Sequence, residues 1–197
     1  LVRVTGSTQA AAKEMAFIRA ETNRLALSTV DGAKGYARLA NAAVGTTLAG
    51  EGVRQVFSAL NTITRANRLS QEEYGRVLNQ VTQIISKGRI QTEELITLAE
   101  SGIPAFTMLG QSMGVTGTQL GEMLQKGQVP AQALILLADK LQKEFGALAE
   151  QAAQTMPAKF ARGWNQIKLE VIDAAQGILE SGELINAFEF KSNMLDI

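Results

Sequence analysis

The residues of this sequence best suited to chemistry are its carboxylates. Two of them held across a sugar ring can divide the acid and base roles of glycoside cleavage. Glu72-Glu73 and Glu93-Glu94 are adjacent pairs, while Glu180 and Glu183 share one helical face. Neighbours on a helix point roughly 100° apart. Both adjacent pairs also fall in first turns, where negative charge complements the helix dipole. Capping is a sufficient account of them, and no substrate-binding aromatics surround Glu180 and Glu183.

The chain has no His and no Cys. Serine triads, thiol nucleophiles, imidazole acid–base work and Cys-based metal sites thereby lose their usual residues. Neither a phosphate loop nor a dinucleotide loop, zinc-protease helix or EF-hand loop occurs. The sequence therefore assigns no catalytic, cofactor-binding or metal-ligating residue and implies no small-molecule substrate. Gly110, Gly114, Gly117 and Gly121 cluster at G-x-x-x-G spacing, which outside a membrane helix marks turns and close packing. Arg54, Arg65, Arg68 and Arg76 could touch phosphate, but no nucleic-acid motif surrounds them and a solvated basic face is the simpler reading.

The elements that would position these residues are helices. The chain has 197 residues, 46% of them hydrophobic, 19% charged and 5% aromatic, with three prolines. Its longest mainly apolar run, Ala133 to Ala138, is far short of the ~20 residues of a membrane helix. The opening LVRVTGSTQA lacks the apolar core of a signal peptide, and a start at Leu1 suits a segment of something longer.

Ser7 or Thr8 caps a first helix to about Leu27. Ser28 or Thr29 opens a second, from about Val30 to Leu48. The third runs from Glu51 to Arg68 on the spacing of Val53, Val56, Leu60, Ile63 and Asn67. Ser70 with Glu73 forms a capping box for a helix that stops at Gly88. Thr92 caps a short helix to Glu100, which Gly102 ends. Pro104 suits the first position of another, through Met113. Thr116 with Gln119 opens one that closes at Gly127.

From Pro130 a long helix carries Leu134, Leu137, Leu141, Phe145, Leu148 and Ala152. After Thr155-Met156-Pro157 a last one carries Phe160, Trp164, Ile167, Val171, Ala174 and Ile178. Two such stripes joined by a short turn predict an antiparallel helical hairpin, with Trp164 in the core. A second apolar line, Leu169, Ile172 and Leu179, needs cover from this chain or another. The expected fold is all-α: a compact domain of eight to nine short amphipathic helices over residues 1–182. Residues 183–197 form a tail, helical at first and then loose, leading toward the rest of a longer chain.

An internal echo runs through the middle. Lys87-Gly88-Arg89-Ile90 precedes Leu95-Ile96 and Leu98-Ala99-Glu100. At an offset of 39, Lys126-Gly127-Gln128-Val129 precedes Leu134-Ile135 and Leu137-Ala138-Asp139. Each unit reads as helix, glycine stop, one apolar residue, next helix. Two copies are too few for a solenoid. Charge is also uneven. Residues 1–92 carry twelve Lys or Arg against six Asp or Glu, whereas residues 93–197 carry seven against thirteen. The halves can attract each other within one molecule or head to tail between copies, as in a homo-oligomer.

From about Leu78 to Gln176 the sequence resembles the N-terminal region of phage tail tape measure proteins. The likeness lies in the order and spacing of Ser86-Lys87-Gly88, Glu93-Glu94-Leu95, Gly102-Ile103-Pro104, Met113-Gly114-Val115-Thr116, Lys126-Gly127-Gln128-Val129 and Thr155 through Trp164-Asn165. Ala105 departs from the Gly that commonly follows Pro104 in the family. The resemblance gives Lys87, Gly88, Glu94, Leu95, Pro104, Gly114, Gly127, Trp164 and Asn165 structural roles.

It implies a protein of the phage or prophage virion, held in the tail lumen after assembly in the bacterial host cytoplasm. Such a protein sets tail length and guides tail-tube polymerisation. The partners implied are tail-tube, tail-tip or tail-assembly chaperone proteins; nucleic acid and membrane are not expected ones. Glycine and proline stops mark this segment as a docking domain and not the rod. The alternatives are a carboxylate-dependent peptidoglycan-degrading domain and an unrelated helical adaptor.

Overall fold

The structure, a computed structural model, describes residues 6–180, and these are all-helical. The elements are α1 (Thr8–Arg24), α2 (Thr29–Ala42), α3 (Glu51–Ala66), α4 (Gln71–Lys87), α5 (Thr92–Glu100), α6 (Ala105–Met113), α7 (Gly117–Gln125), α8 (Ala133–Ala153) and α9 (Met156–Glu180). The expected tail, residues 183–197, lies outside the described residues.

Most boundaries follow from side chains that satisfy orphan helix-end groups. Ser7 and Ser28 cap α1 and α2 by accepting from the N–H groups of Ala10 and Asp31. Ser70 with Glu73 and Thr116 with Gln119 form the expected capping boxes. At α5 the box is made by Gln91 with Glu94, one residue before the Thr92 that the sequence suggested. Pro104 is likewise the N-cap of α6 and not its first residue. The helix expected from Pro130 begins only at Ala133, because Pro130 is held in an extended pairing with Arg89.

Three helices end earlier than expected. α1 stops at Arg24 and α3 at Ala66, where the left-handed residue that closes the turn is Ala26 (φ 53°) or Arg68 (φ 54°). Leu27 N–H reaches Thr22 O at 2.8 Å and Leu69 N–H reaches Thr64 O at 3.0 Å. These are C-terminal caps of the kind glycine usually makes, so the sequence carries no stop signal there. α2 stops at Ala42, and a turn containing Gly45 at φ 76° leads on to α3.

The core is organised around α3, which packs along α8 more extensively than any other helix pair. Gly52 lies beside Ile135 and Thr62 donates to Gln142, so the two helices run parallel. α1, α2 and α4 also contact α3. The sequence pattern gave α3 one apolar stripe, yet Asn61, Thr62 and Thr64 are buried with it, because helices surround it. α2 crosses α4 at Gly35, where an added Cβ would stand 2.6 Å from Leu78 Cδ1. α5, α6 and α7 form a short-helix layer that closes the far end of the core through Leu95, Leu98, Ile103, Met108, Leu109, Leu120 and Leu124.

A two-residue turn, Gln154 and Thr155, joins α8 to α9. Leu134, Leu137 and Leu141 of the α8 stripe are buried in the core. On α9, however, Trp164 is 53% exposed and Ile167 51%, which corrects the expectation of a core tryptophan. Among the described side chains of α9, Ala158 and Asn165 are buried; the helix packs on α8 and reaches α1 and the α1–α2 turn through single polar contacts. Asn165 Nδ2 donates to Leu27 O, and Asp173 pairs with Arg19 at 3.3 Å. The side chains of Phe160, Val171, Ala174 and Ile178 lie outside the described residues. Ile172, on the second apolar line, is 41% exposed.

Candidate functional site

The residues assigned from the sequence fall in three places. Lys87, Gly88, Glu94 and Gly127 come together where the two echoing units meet. Gly88 takes φ 73° and Gly127 φ 65° as the helices before them end, a backbone state that Cβ-bearing residues adopt at a cost. The chain then pairs with itself. Ile90 N–H donates to Val129 O at 2.8 Å, and Ala131 N–H to Gly88 O at 3.0 Å. Pro130, opposite Arg89, occupies the position whose N–H takes no part in the pairing, so its missing donor leaves no gap. Ile90 and Val129, equivalent in the echo, are both fully buried.

Glu94 is 1% exposed. Its carboxylate accepts from Gln91 N–H at 2.8 Å and from Lys87 Nζ, so a buried charge is paired on both oxygens. Leu95 packs into the core beside it. The second place is α6, bracketed by Pro104 and by Gly114 at φ 69°. The third is a groove holding Trp164 and Asn165. Of the three places, the third opens on the larger cavity.

Of the carboxylate pairs, Glu73 accepts from Ser70 N–H at 2.7 Å and Glu94 is engaged as above. Both cap helices, as the sequence suggested. The four arginines separate. Arg54 is committed: its Nη2 and Nε reach Glu14 at 2.7 and 3.2 Å, it pairs with Glu51, and it lies 5.4 Å over the Phe17 ring. It is not available to phosphate. Arg76 is exposed on α4. Arg65 and Arg68 remain without a carboxylate partner among the described residues. Three ion pairs, Arg19–Asp173, Arg24–Glu150 and Lys87–Glu94, join cations of the basic half to carboxylates of the acidic half, which is the within-molecule outcome of the charge asymmetry.

The Glu14–Arg54–Tyr36 cluster was not legible in the sequence, since it joins three helices. Arg54 chiefly holds the Glu14 carboxyl below its ordinary 4.5, with help from the Tyr36 hydroxyl and against burial. Tyr36 is pushed above its ordinary 10.0, by burial first and then by Glu14. Tyr74 is raised by burial and then by Asp31. A depressed carboxyl contributes stability that is complete above pH 4.5 and is lost as pH falls through the folded value. A raised phenol contributes stability that is complete below pH 10.0 and is lost as pH climbs through the folded value. With no His or Cys between, the thermal midpoint should be flat from about pH 6 to 9 and fall on either side. Phenolate absorbance of the folded chain should rise only above the range of free tyrosine. A drop in the midpoint near neutrality, or ordinary tyrosine ionisation in the folded state, would contradict this.

The groove lies among the α1–α2 turn, the end of α3, the start of α4 and one face of α9. It encloses about 350 Å³ and is lined by residues including Asn61, Thr64, Tyr74, Trp164, Asn165 and Lys168. Ala26 lines it and Arg68 directly precedes its Leu69. Among the described residues these two are the non-glycine residues with positive φ, each costing on the order of 1–2 kcal/mol.

Fold and site together define a helical scaffold with pinned junctions and an open groove between α9 and the α1–α2 turn. A family profile described as tape measure protein matches residues 1–180, and the chain belongs to that family. It is thus a component of phage tails, and the family is a structural one. No curated protein and no solved structure matches the chain.

Proposed function

We propose that residues 1–182 are the docking domain of a tape measure protein and that residues 183–197 lead toward its rod. A helix advances 1.5 Å per residue, so a ruler converts chain length to distance linearly. Drawn out as one helix, 197 residues would span about 300 Å. Among the described residues the longest helix has 25 residues, about 38 Å, and α1 to α8 fold back around α3. That folding-back is the observation that carries the reading: this part of the family's chain acts as a body and not as a length. In the host cytoplasm it would engage tail-tip, tail-tube or chaperone proteins, so that tube polymerisation starts on the ruler.

The test is genetic and uses electron microscopy of tails. Deleting coding sequence from the rod should shorten tails in proportion. Deleting residues 1–182 should instead abolish tails or leave them unstarted, with rod length irrelevant. Normal numbers of normal-length tails without this domain would refute the docking role.

A further inference from the structure

The groove beside Trp164 holds hydrogen-bonding groups that the fold leaves unused. Asn61 is fully buried on α3, and its Oδ1 accepts from Tyr74 OH at 2.7 Å, which fixes the amide. Its Nδ2 has no partner, and neither has Oγ1 of Thr64, which is 4% exposed. Both residues line the groove. Native folds rarely leave buried donors unmet, and an amide N–H₂ accepts nothing, so what is missing is an oxygen acceptor.

Positive charge is uncompensated nearby. Arg65 follows Thr64 and stands one turn beyond Asn61, and Arg162 follows Ala161, another groove residue. Arg65, Arg68 and Arg162 pair with no carboxylate among the described residues. The buried Nε atoms of Arg65 and Arg162 are unpartnered, and Arg162 is otherwise held by Ala153 O at the end of α8. Arg65 is destabilised as a cation, by burial first and then by Arg162 and Arg68. An arriving anion would relieve that repulsion. Asp31, the wall carboxylate, is taken by Gln71 Nε2 at 2.6 Å.

We propose that this groove binds an extended acidic segment of a protein partner. Asn61 receives a main-chain carbonyl, Lys168 on the wall and Arg65, Arg68 and Arg162, each next in sequence to a lining residue, receive Asp or Glu side chains, and Trp164 packs against an apolar residue between them. A peptide fits better than nucleic acid. The cations, Lys168 with the three arginines, form a cluster and not a track, and the buried amide donor suits a peptide carbonyl. The inference rests on the docking role and supplies the chemistry of the partner.

Trp164 is the sole tryptophan and sits in the groove, so its emission reports occupancy. The 197-residue chain is titrated with an acetylated, amidated peptide of alternating Glu and Leu. The same peptide with Gln for Glu, and a single-stranded oligonucleotide of equal charge, are run beside it. Saturable binding of the acidic peptide is expected, weakened at least about tenfold by Arg68→Ala with Arg162→Gln and weakened by salt. Circular dichroism checks that the variant folds. Arg38→Ala, exposed and outside the groove, should leave binding unchanged.

Equal binding of the Gln peptide, tighter binding of the oligonucleotide, no saturable signal, or an unaffected double variant would each overturn the proposal. If the acidic peptide does not bind while tails still need the domain, the groove assignment falls and the docking role stands. If tails form without the domain, the docking role falls on its own.

Discussion

Replacing Phe57 by alanine is expected to cost about 3–5 kcal/mol of folding stability. Phe57 is fully buried at the middle of α3 and meets both α1 and α2. Its ring stands edge-on to Tyr36 at 5.2 Å and tilted to Phe17 at 6.1 Å. It also reaches the close crossing at Gly32, whose added Cβ would lie 3.5 Å from Phe57 Cζ. Truncation opens a cavity that α1 and α2 cannot close, because the Glu14–Arg54–Tyr36 hydrogen bonds fix the surrounding side chains. Urea unfolding should show a lower midpoint with an unchanged slope, and Phe57→Leu should keep much of the loss back. A cost of about 1 kcal/mol or less would mean that α3 is not the centre of the fold.

Ile90→Ala should cost about 2–5 kcal/mol, out of proportion to its place in a four-residue linker. Ile90 is 0% exposed, and its N–H is bonded to Val129 across the meeting of the two echoing units. A smaller side chain loosens the pairing that seats α5 and α8 on the core. Ile96, a few residues later on α5 and 53% exposed, is the control: Ile96→Ala should change stability by no more than about 0.5 kcal/mol. Equal costs at the two isoleucines would show that the junction does no more than an ordinary surface turn.

The capped elements were legible because their signals are local. Ser70 with Glu73, Thr116 with Gln119, and Gly88 each settle a boundary from within four residues, and the structure follows them. The ends at Arg24 and Ala66 were not legible, since Ala26 and Arg68 make caps in which glycine would have been the sign. Trp164 was misplaced for another reason. A helical stripe gives the side that is apolar, whereas burial depends on which neighbour arrives, and α9 turns Asn165 toward Leu27 of the α1–α2 turn. The echo at offset 39 could be read from sequence; that its two copies would touch could not, because nothing in a spacing states a contact. The groove had no local signature at all. Asn61 and Thr64 read as polar interruptions of a stripe, and their unmet donors emerge only once α4 and α9 have closed around them.

Arg89 and Pro130 face one another, so the chain between them departs and returns through a single gate. Residues 91–128 are therefore a tethered ring when they melt. Their gain in freedom is smaller than that of an untied stretch by on the order of 3 kcal/mol, the closure entropy of a ring this size. α5, α6 and α7 can open and reclose as one unit while α3 and α8 hold their alignment. Their amides should exchange with solvent as a group, ahead of those in α3. A domain tied in this way is expected to yield locally at α5 to α7 while its α3–α8 frame stays in place.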